Sequence, residues 1–406
     1  KAASMTDSLM ATYKRLPVAF ARGEGAWLWD QAGKRYLDAL SGIAVCGLGH
    51  AHPAVQQAIC EQAGTLLHTS NLYQVAAQDA LGDALTRAAG MERVFFANSG
   101  AEANEAAIKL ARLHGHRKGI DLPAILVMDN SFHGRTLATL TATGNRKVQA
   151  GFEPLVKGFL RAAYGDIEAV DRVARNSPNL VAVLVEPIQG EGGINVPHPG
   201  YLTQLRQRCD EHGWLLMLDE IQTGMGRTGR LFAHQHPGIV PDVMTLAKGL
   251  GNGVPIGACL ARGEAAQVFG PGSHGSTFGG NPLACRAALA VLATIEEQDL
   301  ATRAERLGER LMGAFRERLR GVTGVVDVRG QGLMLGIELD RPCAALVTDA
   351  LEAGLLINVT AERVVRLLPP LILDEAQADL LAATLSGLIR QFLRAEDLTG
   401  NGGSVP

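Results

Sequence analysis

Between residues 55 and 320, short runs of apolar and β-branched residues alternate with amphipathic stretches of helical period. The runs are Val94–Ala97, Ala124–Met128, Val181–Glu186, Leu215–Leu218, Val243–Ala247 and Gly257–Ala261. They lack the strict alternation of a strand with one wet face, so they read as strands covered on both sides. The stretches between them, such as Glu102–His114 and Tyr201–His212, read as helices. Strands and helices in this alternation build a mostly parallel central sheet flanked by helices, an α/β fold.

The ends of the chain follow a different pattern. Residues 5–50 look irregular, with short strands expected at Ala26–Trp29 and Arg35–Asp38. Beyond about residue 320, short strands are expected at Val325–Val328, Leu333–Leu339, Leu355–Val359 and Val364–Leu367, and helices near Cys343–Ala353 and Asp374–Leu393. A chain of 406 residues has room for more than one unit. The reading is a large domain over 55–320 and a smaller α+β domain built from 5–54 and 321–398, joined through the helical stretch 283–320.

Several classes of protein are excluded early. Lysine and arginine total 38 against 41 acids, so no global basic field exists to hold nucleic acid or an anionic membrane. The longest mildly apolar run, Leu40 to Gly49, falls far short of the roughly 20 residues that cross a bilayer. Cys46, Cys60, Cys209, Cys259, Cys285 and Cys343 are scattered without a C-x-x-C, which suits buried thiols in a reducing compartment and a cytoplasmic location. Met5 reads as the natural start and residues 1–4 as a tag remnant. The 48 glycines imply many tight turns and close backbone approaches, as where a chain wraps a ligand.

Four motifs carry chemistry. Asn98-Ser99-Gly100-Ala101-Glu102 follows a strand and opens an Ala-rich helix. Its free N–H groups and helix dipole suit a phosphate, although an ordinary capped helix would look the same. Leu215-Leu216-Met217-Leu218-Asp219-Glu220-Ile221-Gln222 places two acids at the end of an apolar strand, where open sheets put their ligands. The plainer reading is a pair of solvated acids. Thr245-Leu246-Ala247-Lys248-Gly249 ends another such strand in a lysine. A desolvated lysine has a lowered pKa and suits Schiff-base chemistry, whereas a surface lysine does nothing of the kind. Gly272-Ser273-His274-Gly275-Ser276-Thr277-Phe278-Gly279-Gly280-Asn281-Pro282 is either a mobile loop or a source of hydroxyl donors to phosphate. Together the four make a phosphate cradle, an acid for a protonated ring nitrogen, a Schiff-base lysine and a second phosphate donor. That set is the equipment for pyridoxal 5′-phosphate.

Glu186-Pro187-Ile188-Gln189-Gly190-Glu191-Gly192-Gly193, Asp219-Glu220-Ile221-Gln222-Thr223-Gly224 and Ala247-Lys248 resemble the class III, ornithine-type aminotransferases of fold-type I. The resemblance runs over nearly the whole chain and in the same order. It implies that Lys248 carries the covalent link to the cofactor and later shuttles the substrate proton. It implies that Asp219 pairs with the ring nitrogen, that Gln222 bonds the ring 3′-oxygen, and that Phe132 and Ile221 cover the two ring faces. Glu220 is carried along with this cofactor-binding run. Gly100 and Ala101 would bind phosphate through their N–H groups, and Thr277 would reach it from the neighbouring subunit of a homodimer that shares its active sites.

On the substrate side the resemblance places Ser276 beside the donor, Arg135 on a carboxylate, and Glu191 with Arg366 as an acid–arginine pair that manages two unlike substrates. Ser41-Gly42-Ile43-Ala44-Val45, His68-Thr69-Ser70-Asn71, Phe132-His133-Gly134-Arg135 and Gly275–Pro282 look most like members acting on N2-acetylornithine. Ornithine enzymes usually carry tyrosine where Ile43 stands, which favours an acylated donor over free ornithine. The implied reaction moves the δ-amino group of acetylornithine to 2-oxoglutarate in arginine biosynthesis. Succinylornithine and N-succinyl-diaminopimelate are the alternative donors.

Two features point elsewhere and carry less. Gly224-Met225-Gly226-Arg227-Thr228-Gly229 satisfies G-x-G-x-x-G, but no long helical period follows it, as an NAD-dependent oxidoreductase would need. His50-Ala51-His52 and His234-Gln235-His236 lack a nearby acid or cysteine cluster, so they read as loop or cap residues and no metal is expected.

Overall fold

The computed structural model describes residues 8–400. The tag remnant expected at residues 1–4 and the start expected at Met5 lie outside the described residues, as does most of the tail after Leu398. The strands are Phe20–Glu24 (β1), Trp27–Asp30 (β2), Arg35–Asp38 (β3), Arg93–Ala97 (β4), Ala124–Met128 (β5), Phe159–Ala162 (β6), Leu180–Val185 (β7), Leu215–Asp219 (β8), Val243–Leu246 (β9), Gly257–Ala261 (β10), Val325–Gln331 (β11), Met334–Leu339 (β12), Leu355–Leu356 (β13), Asn358–Thr360 (β14) and Val364–Leu367 (β15).

Seven of them form the central sheet in the order β4-β10-β9-β8-β7-β5-β6. The β9-β8-β7-β5-β6 pairs are parallel, and only β10 runs against its two neighbours. Strands β5, β7, β8, β9 and β10 are buried at every position. Alternate residues enter opposite layers: Ile125, Ala182, Leu184 and Met217 meet Ala106 and Leu110 on one face, while Leu126, Val183, Leu216 and Leu218 meet Tyr201 and Leu205 on the other. This is why the sequence shows continuous apolar runs there and no alternation.

Two strands are absent from the sequence reading. β6 is a half-buried edge strand that contains Arg161, and β1 is largely exposed, so neither presents an apolar run. The expected strand Leu355–Val359 is two strands. β13 pairs in parallel with β3, and β14 joins β15 in another sheet. The β1-β2-β3-β13 sheet therefore brings the two ends of the chain together, and β11-β12-β15-β14 forms a second four-stranded sheet. The helix Pro282–Glu297 packs on helices Pro53–Ala63 and Ala76–Ala89. The next helix, Leu300–Arg318, packs on β11 and on the helix Glu375–Gly400.

The G-x-G-x-x-G segment opens no helix. Arg227, at its centre, is buried and donates to the carbonyls of Leu333 and Pro369, stitching the central sheet to the C-terminal strands. No helix among the described residues is long and apolar enough to cross a membrane, and all six cysteines are free thiols.

Candidate active site

The carboxyl ends of the parallel strands open into one cavity of about 390 Å³, within the usual range for a small-molecule site. It is walled by residues that follow β4, β5, β7, β8 and β9, joined by Val45 from the N-terminal region and the segment Gly253–Ile256. The topology collects these side chains because parallel strands all point their carboxyl ends the same way.

One wall is the start of the helix Gly100–Arg117. Ser99 caps it, its Oγ accepting from the Glu102 N–H at 3.2 Å and its carbonyl from the Ala103 N–H at 3.0 Å. Gly100 and Ala101 lie one turn too early for an intrahelical acceptor, and both line the cavity. A Cβ on Gly100 would come within 2.8 Å of Ile221 Cδ1, so only glycine lets the helix start and Ile221 share this wall.

Asp219 ends β8 and is 4% exposed. Its Oδ2 accepts from Asn104 Nδ2 at 2.8 Å and lies 2.8 Å from His133 Nδ1, while Oδ1 accepts from the Ile221 N–H at 3.1 Å. Asn104 is locked in turn by Thr245, whose hydroxyl donates to it at 2.8 Å, and itself donates to the His133 carbonyl at 2.9 Å. A buried carboxylate held by three partners is a fixed negative charge facing the cavity. Asn104 and His133 are functional side chains that sequence reasoning did not single out. The one available signal was a polar residue inside an Ala-rich helical face.

Lys248 follows β9, has a backbone φ of 44°, and lines the cavity. Burial pulls its ammonium below the ordinary lysine range, with Glu191 pulling it back up and Arg366 pushing it further down. No ion pair holds it among the described residues. Its ammonium therefore gives up a proton more readily than that of an exposed lysine, which suits a nucleophile or base.

Two arginines flank this centre. Arg135 is exposed at the cavity lining, its guanidinium carbon 5.7 Å from the Phe132 ring centroid, with no ion pair among the described residues. Arg366 is fully buried. It donates to Glu191 Oε1 at 2.5 Å through Nη1, to Asn358 Oδ1 at 3.1 Å through Nε, and more distantly to Gln222 Oε1 at 3.4 Å. Its Nη2 is buried without a partner. Burial alone would raise the Glu191 carboxyl, but the Arg366 guanidinium holds it below the usual carboxylate range.

The cavity thus brings together Lys248, Asp219, Gln222, Ile221, Phe132, Gly100, Ala101, Arg135 and Glu191. Five expected residues lie outside its lining, among them Arg366, which stands behind Glu191. Glu220 turns away: its oxygens accept from the N–H groups of Ala233 and His234 and from the Thr223 hydroxyl, which spends it on holding the 233–235 turn. Ile43 sits in a left-handed turn and packs against the cluster of Ala44, Ile188, Ile194, Met334 and Leu368. Ser276 reaches the edge of the site, accepting from Asn98 Nδ2 at 3.3 Å. Thr277 is exposed in a separate small pocket with His68, Thr69 and Asn71.

Three of the four histidines weighed as metal ligands have other partners; His236 Nε2 lies 3.1 Å from the Thr228 carbonyl. His50 Nε2 lies 2.8 Å from Asp38 Oδ2, and His234 Nδ1 lies 2.8 Å from the Ile239 carbonyl.

These residues fit pyridoxal phosphate on their own chemistry. The helix start offers unpaired N–H groups for an anion, Asp219 a fixed negative charge for a ring nitrogen, Gln222 a side-chain amide, and Lys248 an unpaired, desolvated amine.

The comparisons agree. Residues 9–389 match the family aminotransferase class-III. The chain is 60% identical to the acetylornithine aminotransferase of Nitrosomonas europaea over 95% of this chain and 98% of that one. It is 57% identical to acetylornithine aminotransferase 1 of Bordetella bronchiseptica over 96% and 99%. Among solved structures it resembles the ornithine aminotransferase of Toxoplasma gondii (36% identity, TM-score 0.90, covering 97% of this chain and 94% of that one). It also resembles the N-acetylornithine aminotransferase of Stenotrophomonas maltophilia (38%, TM-score 0.81, 93% and 97%). With its lysine, its buried aspartate and its fold-type I sheet in place, the chain belongs to the class-III aminotransferases, which depend on pyridoxal phosphate.

Proposed function

We propose that this enzyme transfers the δ-amino group of N2-acetylornithine to 2-oxoglutarate, giving N-acetylglutamate 5-semialdehyde and glutamate. The observation that carries the reading is the unequal pair of arginines: Arg135 unpaired at the cavity lining, Arg366 buried and neutralised by Glu191. The names of the relatives at 57–60% identity support the same donor.

When bound, pyridoxal phosphate supplies the electron-withdrawing ring and the carbonyl that takes up the amino group. Gly100 and Ala101 would hold its phosphate by N–H groups, Phe132 and Ile221 would flank the ring, and Gln222 would serve the ring oxygen. Asp219 would keep the ring nitrogen protonated, and Asn104 and His133 keep Asp219 in place. Lys248 Nζ would take the proton from the donor carbon that bears the amine, as general base, and deliver it as general acid to the cofactor carbon next to the ring.

Arg135 binds the single carboxylate of the donor, or the far carboxylate of 2-oxoglutarate. While Glu191 neutralises Arg366, the pocket beside the reacting carbon does not call for a carboxylate, and a terminal amine enters. Once Glu191 releases Arg366, that guanidinium receives the near carboxylate of 2-oxoglutarate.

The working form we propose is a cytoplasmic homodimer with shared sites. Thr277 and Phe278 are exposed, and His68 packs its ring 5.5 Å from Phe278. Leu66, Leu67, Leu72 and Tyr73 are exposed on the adjoining segment, which is tied to this loop through Asn71. An apolar surface of this kind suits a subunit interface, and it would carry Thr277 to the phosphate of the partner's cofactor.

Steady-state rates with acetylornithine, succinylornithine, N-succinyl-diaminopimelate and ornithine, at fixed 2-oxoglutarate, test the reading. Acetylornithine should have the highest kcat/KM. A clear preference for free ornithine or a succinylated donor would overturn it.

A further inference from the structure

Glu186 follows β7, lines the cavity, and has no part in the chemistry described above. It is 6% exposed, and each of its oxygens accepts one backbone N–H from a different segment. Oε1 takes Phe132 at 2.9 Å and Oε2 takes Gly190 at 3.1 Å. Phe132 is the residue assigned to the ring face. Gly190 immediately precedes Glu191. Residue 190 is confined on its other side, because a Cβ there would meet Gln222 Oε1 at 2.4 Å. The backbone leaving Glu186 is pinned as well: the Tyr164 hydroxyl faces the carbonyls of Glu186 at 3.2 Å and Pro187 at 2.8 Å.

We propose that Glu186 is a positioning residue for transamination, its carboxylate tying the segment that presents Phe132 to the loop that presents Glu191, so that Glu191 can leave and regain Arg366 without its backbone moving. This rests on the two-substrate reading above. Both oxygens of an ionised carboxylate accept, whereas an amide of the same shape turns an N–H toward one of the two N–H donors and breaks that half of the tie. Burial pushes the Glu186 carboxyl up to about 7. The groups facing it are His133, which opposes that rise, Asp219, which adds to it, Tyr164 at its backbone, and Lys248 across the cavity. The tie is therefore near full strength about one pH unit above 7, half lost at about pH 7, and weaker still below it as one oxygen takes a proton.

The test uses the purified holoenzyme and two readouts. The first is amide hydrogen exchange of peptides covering Phe132 and Gly190, corrected for intrinsic rate, between about pH 8 and about pH 6. In the wild type, protection of both amides should fall about tenfold over this range, the difference between a charged and a neutral acceptor. In Glu186→Gln, protection of at least one of them should be low at both ends. The second readout is the ratio of the two half-reactions, followed separately by cofactor absorbance. Glu186→Gln should slow the acetylornithine half-reaction more than the glutamate half-reaction.

Flat protection in the wild type, or a folded Glu186→Gln with an unchanged half-reaction ratio, would overturn the proposal. If the variant does not fold, the wild-type exchange series decides. Failure of acetylornithine as a donor for the wild type would refute the proposed substrate instead, leaving the exchange result to stand for the tie.

Discussion

Glu191 Oε1 and Arg366 Nη1 lie 2.5 Å apart, with the arginine side chain wholly removed from solvent. The Glu191 side chain is 34% exposed, so removing it leaves the buried Arg366 uncompensated at a cost below the ~3–5 kcal/mol of a fully buried pair. Glu191→Ala should therefore slow the acetylornithine half-reaction much more than the glutamate half-reaction, because a bared Arg366 favours a carboxylate beside the reacting carbon. Glutamate should bind as tightly as before or more tightly. Equal losses in the two half-reactions, measured separately by cofactor absorbance, would leave the pair a purely structural role.

Lys248→Ala should lower turnover by about three orders of magnitude or more, since the covalent attachment and the proton carrier are lost together. The variant should keep its fold, and cofactor should still associate through the helix start at Gly100. A single-turnover rate near that of the wild type would refute the role.

Asp219→Asn should cost about 100-fold or more in kcat at saturating cofactor, with the thermal transition little changed. The amide is neutral, and its NH2 group would face either the Ile221 N–H or the Asn104 and His133 donors that now point at Asp219. An unchanged rate would mean that the acid serving the ring lies elsewhere.

Mixing inactive Lys248→Ala chains with inactive Thr277→Arg chains should restore some activity. If Thr277 crosses to the partner's site, one of the two sites in a hybrid carries neither substitution. Verified hybrids without activity would show that each chain completes its own site.

His50 gives a pH-dependent contribution to stability. Desolvation opposes its protonation, but Asp38 at 2.8 Å, with Cys46, pushes its pKa up to about 9. A folded-state value above the unfolded one stabilises the protein fully below about pH 6.5, and the contribution fades as pH rises through about 9. The loss should be on the order of 2 kcal/mol. His50→Gln should flatten the decline in denaturation midpoint between those limits. A parallel decline in wild type and variant would assign it to other groups.

Lys248, Asp219, Ile221 and Gln222 were legible because each sits at or just beyond the end of a run apolar enough to mark a buried parallel strand, and such strand ends are where open sheets place ligands. Ser99-Gly100-Ala101 was legible because a cap and a glycine mark a helix start. Ile43 and Thr277 were named by resemblance to the family, and the cavity lining of this single chain reaches neither.

The roles of Asn104, His133 and Glu186 were not legible, because their partners come from distant parts of the chain. Asn104 and Asp219 are 115 residues apart, and Glu186 and Phe132 are 54 apart. A polar side chain in an apolar neighbourhood declares that it has a partner, not which one.

The acids at the end of β8 mark the boundary most sharply. Apolar runs were sufficient for six of the seven strands of the central sheet, including the one that ends in Asp219 with Glu220 just beyond it. They could not tell which acid faces the cavity. With both faces of β8 buried, neither is marked by polarity, and neighbouring residues point to opposite sides. That choice came from folding: the 233–235 turn packs behind the strand end and takes Glu220 with two backbone N–H groups, while Asn104 and His133 converge in front and take Asp219.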